Sequence, residues 1–239
     1  MRARRSIAVV ILVVVFLAGI GYVLTNDLAS SSAASSRSAG GNLLTNGGFE
    51  SGNLQGWQTS NLLPTVESTI VNGSTYAAMF ETTSNGLTLS QCTMHALKCQ
   101  LLNSSTISQA VSGVSISPST RLSIALYSSF QSPSLFQVTL DLSPSSQHSH
   151  EVIIYYIFYA SSEQCDTYSQ LLVNASQFAR AFCLSAQQGE WNAITRNISN
   201  DIPSSLSTSD LSGSSLTLSL SFSGGNSTDT TYVDSVYLG

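Results

Sequence analysis

The feature that most restricts the fold is a two-residue alternation of apolar and hydroxyl side chains near the C-terminus. In Leu216–Phe222 every second residue is Leu or Phe, and Thr or Ser fills the positions between them. Successive side chains of a β-strand point to opposite faces, so this run predicts a strand with one buried and one solvated face. After residue 41, helical periodicity is nearly absent, and the runs rich in Val, Ile, Thr and Tyr are short and end at Ser, Gly, Asn or Pro. This pattern predicts an antiparallel all-β fold.

Other runs of the same kind predict further strands at Leu122–Leu126, Leu135–Leu142, Val152–Tyr159 and Thr231–Leu238. Val152–Tyr159 is apolar at every position, which predicts either a strand covered on both faces or a platform for a ligand. One segment, Ser169–Phe182, is the only plausible helix after the N-terminal region.

A series of short motifs runs through this β-rich region in a fixed order. It opens with NLLTNGGFE at 42–50, followed by Gly52, Gly56 and Trp57, and continues with STYAAM at 74–79, ISQAV at 107–111, EWN at 190–192 and YVDSV at 232–236. The series resembles the galactose-binding-like jelly-roll domains, in particular carbohydrate-binding modules of the family 4/9 type. The resemblance implies an antiparallel β-sandwich, a jelly roll, over residues 42–239.

The resemblance also implies a structural calcium ion. In that family an acidic residue of the opening motif and the aspartate of the closing strand commonly help to hold Ca²⁺, together with backbone carbonyls. The matching residues are Glu50 and Asp234, and hard oxygen ligands suit this cation. Where the family often has a second acid after the aspartate, this chain has Ser235.

The N-terminus predicts a membrane anchor. Residues Ile7–Leu24 form an uninterrupted apolar run, preceded by Arg2, Arg4 and Arg5. A run of this length spans a bilayer as a helix, and the positive-inside rule places the arginines in the cytoplasm. We therefore predict a cytoplasmic tip at 1–6, a transmembrane signal anchor at 7–25, a Ser/Ala/Gly-rich stalk at 26–41 and an extracellular domain at 42–239.

Two other fates of the apolar segment stay open. A secretory signal could be cut near Ala29–Ala34, where small residues abound. Alternatively, Arg5-Ser6 before Ile7 resembles the processing site of archaeal type IV pilin-like precursors, in which the apolar stretch survives as an assembly helix.

Charge is scarce in this chain and excludes one class of partner. Charged residues make up 9% of the sequence, with 8 Lys+Arg against 13 Asp+Glu and a net charge of −5, where about 25% is usual. Nucleic acid needs clustered Lys and Arg, so we exclude it. Strands whose wet faces carry Ser and Thr have little to ionise, which predicts stability that depends weakly on pH.

The cysteines and asparagines suggest extracellular modifications. Outside the cell, four cysteines predict two disulfides, and proximity favours Cys92 with Cys99 and Cys165 with Cys183 over the other two pairings. Five sequons, at Asn72, Asn103, Asn174, Asn197 and Asn226, are candidate glycosylation sites. His148 and His150 would share one strand face, but a solvated loop is the better interpretation and no further metal ligand lies nearby.

No catalytic motif is apparent, so we predict a protein that is not an enzyme. The anchor, stalk and binding-type domain together predict a cell-surface protein that binds glycans or mediates adhesion. The alternative is a structural surface or pilin-like filament subunit that uses the jelly roll as a scaffold without a ligand. The aromatic residues available for a sugar are Tyr127, Tyr155, Tyr156, Tyr159, Tyr168 and Trp191, and the sequence does not choose a binding face among them.

Overall fold

The computed structural model describes residues 41–82, 104–130, 134–143, 151–159, 171–174, 177–204, 206, 211–223 and 229–239. The predicted tip and anchor, and all but the last residue of the predicted stalk, lie outside these ranges. Within the described ranges, no helix combines the length and the apolar character that crossing a bilayer requires.

The described strands form two sheets. The seven-stranded sheet runs, from edge to edge, β1 (Gln58–Asn61), β4 (Ser104–Val114), β11 (Ser214–Ser223), β6 (Leu135–Ser143), β7 (Glu151–Tyr159), β9 (Gln177–Ser185) and β8 (Leu171–Asn174). The five-stranded sheet runs β10 (Trp191–Asn197), β5 (Arg121–Ser129), β12 (Thr230–Leu238), β3 (Ala77–Glu81) and β2 (Thr65–Glu67). A short helix, α1 (Ile198–Asp201), follows β10. The predicted two-sheet β-sandwich is thus confirmed.

Sequence alternation located the clearest strands correctly, and two expectations need correction. Within the predicted helix Ser169–Phe182, the described residues are strands instead: residues 171–174 form β8 and residues 177–182 form the start of β9. Strand β9 also pairs in parallel with β7, from Glu151↔Gln177 to Tyr159↔Ser185, so the seven-stranded sheet is not purely antiparallel. Ala, Gln and Leu in this segment favour a helix locally, and pairing along the whole length of β7 overrides that preference.

The core lies between the inner faces of the two sheets. Leu216, Leu218 and Leu220 of β11 are completely buried, as the alternation predicted. Aromatic rings connect the sheets: Phe136 of β6 contacts Phe80 of β3 in the other sheet, with ring centroids 5.7 Å apart. Phe136 also contacts Phe158 of the neighbouring strand β7, at 6.0 Å. The strand faces that carry Ser and Thr point away from this core.

The opening segment of the domain binds to its last strand. The Asn42 side chain donates to the Val236 carbonyl (2.9 Å) and accepts from the backbone N–H of Leu238 (3.0 Å) and Leu44 (3.1 Å). The Val236 N–H donates to the Gly47 carbonyl at 2.8 Å. A Cβ added to Gly47 would lie 2.2 Å from the Val236 carbonyl oxygen, so this approach requires glycine.

The turn that follows forms a small aromatic unit. Asn46 and Phe49 adopt positive φ angles of 52° and 58°, which are uncommon for residues with a side chain. This turn buries Phe49 completely and stacks it on Trp57, with centroids 5.9 Å apart. The Trp57 Nε1–H donates to the Asn46 carbonyl at 3.1 Å.

We predict that Asn42→Ala lowers the free energy of unfolding by about 2–3 kcal/mol, because it removes three hydrogen bonds, two of which tie the opening segment to the last strand. Urea denaturation of the variant and of the wild type measures the loss. Asn200→Ala, at an exposed position of α1, is the matched control and should change stability by less than about 0.5 kcal/mol. Equal effects of the two substitutions would contradict the assigned role of Asn42.

Candidate functional site

The outer face of the seven-stranded sheet, which points away from the five-stranded sheet, carries side chains in rows across its strands. One row joins Gln58, Ser108, Ser219, Thr139 and Tyr155, and the next joins Ser60, Thr106, Ser221, Gln137 and Ile157. We call these ten residues the polar–aromatic face. Their neighbours along each strand point into the core, so the pleat of the sheet produces the separation.

Hydroxyl and amide groups cover most of this face. The Thr106 and Ser221 hydroxyls are hydrogen-bonded at 2.8 Å, and the Gln137 amide donates to the Thr139 hydroxyl at 2.9 Å. Ser108, Ser219 and Thr139 are half-buried. Because each hydroxyl both donates and accepts, the rows form a neutral array of donors and acceptors.

Strand β7 contributes the aromatic part of the face. Tyr155 is half-buried and packs against a small cluster of Leu135, Ile157 and Tyr159. On the other face of the same strand, Tyr156 and Phe158 are buried in the main core. The expected cover on both faces of Val152–Tyr159 holds in part: Ile157 and Tyr159 are covered, while Ile153 and Tyr155 stay half-exposed. The ligand platform stays a prediction.

Two carboxyl groups lie at one end of the face, beside Tyr155. Asp141 of β6 is hydrogen-bonded to Glu151 of β7, and burial, reinforced by the Glu151 charge, raises the pKa of Asp141 from 3.8 to about 6. Burial and the same two carboxylates also raise the pKa of Tyr155. A carboxyl group whose pKa is raised prefers to keep its proton in the folded state.

We predict that Asp141→Asn stabilises the protein at pH 7 by about 1–2 kcal/mol, allowing for solvent screening of a half-buried group. The folded-state pKa is raised, so the stability linked to this group is greatest below about pH 4 and falls as the pH rises to about 6. The gain should therefore disappear at pH 4. Thermal unfolding across this range tests it, with Glu190→Gln, at an exposed acid, as the control. A gain that is equal at pH 4 and pH 7 would contradict the assignment.

The sequence did not reveal a buried charge cluster between β7, β10 and α1. Asp201 is 4% exposed and accepts from Arg196 through Nη2 (2.6 Å) and Nε (2.9 Å) and from the Tyr156 hydroxyl (2.8 Å). Burial, followed by the Asp201 charge, raises the pKa of Tyr156. The one sequence signal in this region was the Asn197-Ile198-Ser199 triplet, which is typical of a helix start. Asn197 is the N-cap of α1 and accepts from the Ser199 N–H.

The structure brings the segments of the two predicted calcium ligands together. Glu50 is exposed and its Oε1 accepts from the Gly48 N–H at 3.1 Å. Asp234 is 1% exposed, and its carboxylate accepts from the Asn72 N–H. It lies in a β-bulge of β12, between Val233 and Val236, where the opening turn binds. In the described residues no three His, Cys, Asp or Glu side chains form a metal-binding group.

Several predicted sites lie outside the described residues: Cys92, Cys99, Cys165, His148, His150, Tyr168, Asn103 and Asn226. Cys183 is disulfide-bonded, and its pairing stays a prediction. Asn72 is exposed, Asn197 uses its amide to donate to the Pro118 carbonyl (2.8 Å), and Asn174 ends β8.

The remaining candidate rings belong to the second sheet. Tyr127 and Trp191 are register partners on the five-stranded sheet, with ring centroids 5.6 Å apart. Tyr127 also lies 5.9 Å from Tyr232 in an edge-to-face arrangement. These rings form a separate aromatic row on the outer face of that sheet.

No protein-family model and no curated protein matches the chain. Among solved structures it is similar to a family 61 carbohydrate-binding module in complex with β-1,4-galactotriose, at 15% identity and a TM-score of 0.47, covering 83% of this chain and 97% of that one. It is also similar to the CBM22-1 xylan-binding domain of Paenibacillus barcinonensis Xyn10C (14% identity, TM-score 0.41, 84% and 96% covered). A third is CBM28, a module specific for non-crystalline cellulose (11% identity, TM-score 0.44, 80% and 90% covered). The ligands named belong to those proteins.

Proposed function

We propose that this chain is a non-catalytic cell-surface protein that binds a neutral glycan on the polar–aromatic face. One observation carries the proposal: the row of Ser108, Ser219 and Thr139 leads directly to the ring of Tyr155. Sugars present CH groups that pack on aromatic rings and hydroxyls that bond to hydroxyl and amide groups. None of the ten residues of the face is charged, which suits a neutral ligand.

The two carboxyl groups beside Tyr155 are not arranged as a hydrolytic pair. Glycoside hydrolysis needs two carboxyl groups about 5–9 Å apart, with the sugar linkage between them. Asp141 and Glu151 are instead hydrogen-bonded to each other. This contact leaves no room for a glycosidic bond between the two groups.

The location is part of the proposal and is supported by the sequence. The apolar run Ile7–Leu24 behind three arginines would anchor the chain by a single span, with residues 26–41 as a stalk. The sandwich would then face outward, where glycans of other cells or of the protein's own envelope are within reach.

We predict that Tyr155→Ala weakens binding of the full chain, in detergent, to a soluble neutral polysaccharide by at least about tenfold, equivalent to about 1.4 kcal/mol. The ring supplies the apolar contact, so its loss removes the main stacking surface. Isothermal titration calorimetry against galactan, xylan and mixed-linkage glucan measures the change.

Tyr127→Ala is the matched control, because it removes a half-buried tyrosine from the outer face of the other sheet. It should leave binding within about twofold. If Tyr127→Ala weakens binding and Tyr155→Ala does not, the glycan site lies on the five-stranded sheet. If the wild-type chain binds none of these polysaccharides, the glycan-binding proposal fails and the hypothesis of a structural filament subunit is favoured.

We also propose that Asp234 and Glu50 hold a structural Ca²⁺ together with backbone carbonyls of the opening turn. The donor set fits: Asp234 is a buried carboxylate that accepts from the Asn72 N–H and has no Lys or Arg partner among the described residues. A buried carboxylate without a counter-charge is costly. When bound, the cation would supply that charge and join the opening turn to β12.

We predict that a chelator lowers the melting temperature of the wild-type protein by several degrees and has no effect on Asp234→Asn. Differential scanning calorimetry with and without calcium measures both. In the absence of calcium Asp234→Asn should be about as stable as the wild type, because the substitution keeps the size and shape of the side chain. A chelator effect that persists in Asp234→Asn would remove the site, and so would a wild-type melting temperature that does not respond to chelation.

A further inference from the structure

Two arginines meet at one phenyl ring beside α1. The guanidinium carbons of Arg180 and Arg196 lie 4.7 and 4.8 Å from the centroid of the Phe182 ring, so they are less than about 10 Å from each other. Arg180 and Phe182 belong to β9 and Arg196 to β10, and all three are half-buried. In a chain this poor in positive charge, such a concentration is a distinct feature.

The two arginines are not equally neutralised. Asp201 meets Arg196 through two hydrogen bonds, at 2.6 and 2.9 Å. Arg180 donates from Nη1 to the Asp201 backbone carbonyl at 3.3 Å and has no carboxylate partner among the described residues. The cluster therefore carries two positive charges against one negative, and most donors of Arg180 have no acceptor among the described residues.

We infer that Arg180, Phe182 and Arg196 form a second binding site, which takes the carboxylate of an acidic sugar residue. A guanidinium presents a planar fork of donors that matches a carboxylate. The Phe182 ring stacks on Tyr156, with centroids 5.7 Å apart, and holds both guanidinium groups beside it. One unneutralised guanidinium is too little for nucleic acid, whose binding neutralises several phosphates.

This site is separate from the polar–aromatic face. Ala181 lies between Arg180 and Phe182 and is the register partner of Tyr155. Since successive side chains of β9 point to opposite faces, Arg180 and Phe182 point away from the side that carries Tyr155. That the ligand is an anion follows from the arginines alone. That its carboxylate belongs to a sugar rests on the proposed function.

The test measures binding of the full chain in detergent to oligogalacturonate, by calorimetry at low and high salt. Arg180→Gln should weaken binding at least tenfold. Arg180→Lys should lose less affinity, because lysine keeps the positive charge but lacks the two parallel N–H donors of a guanidinium. Arg121→Gln, which removes an exposed arginine elsewhere, should bind like the wild type. Melting curves of all variants confirm that they fold.

The remaining measurements separate this inference from the proposed function. Arg180→Gln should keep neutral-polysaccharide binding, and Tyr155→Ala should keep oligogalacturonate binding. Glutarate, a carboxylate without a sugar ring, should bind far more weakly than oligogalacturonate, and a sulfated oligosaccharide should bind less well than a uronate. If Arg121→Gln loses as much affinity as Arg180→Gln, or if glutarate or anionic lipid vesicles bind equally well, the inference fails, whatever the neutral glycans do.

Discussion

The hydrogen bonds between the opening segment and the last strand close the sandwich, and other features of the domain depend on them. Asn42 bridges Val236 and Leu238 across nearly the whole described sequence, and Gly47 approaches Val236 closely. These contacts place the opening turn beside the bulge that contains Asp234. They also hold the turn that places Phe49 and Trp57 over the end of the core. The burial of these two rings and the proposed calcium site therefore both depend on the contact between the opening segment and β12.

Three of the ionisable sites of the described domain involve buried or half-buried carboxyl groups. Asp201 compensates Arg196, Asp141 shares a hydrogen bond with Glu151, and Asp234 lies buried at the bulge. The outer face between these places is built from hydroxyls and amides. The sandwich therefore has a neutral polar–aromatic face that ends at Tyr155. The positively charged cluster of Arg180 and Arg196 lies on the opposite side of β9.

Much of the fold could be predicted from local pattern. The alternation in Leu216–Phe222 identified β11, and its seven register partners on β6, residues 136–142, carry the same alternation. The motif YVDSV located the closing strand, although not its bulge. The helix predicted over Ser169–Phe182 was wrong because the composition of this segment is compatible with a helix in isolation. Pairing with the edge of β7 is what makes a strand the better choice for β9.

The sequence by itself determined that the chain forms strands with one wet face, because the two-residue period is a property of adjacent residues. It could not determine which strands become neighbours, since register depends on contacts between residues far apart in the chain. Tyr155 and Tyr156 show the difference: alternation separates their faces, but only the pairing of β7 with β6 and β9 turns Tyr156 to the core and Tyr155 toward the hydroxyl rows. Arg180 and Arg196 likewise meet at Phe182 although β9 and β10 lie in different sheets, and both arginines donate to Asp201 of α1.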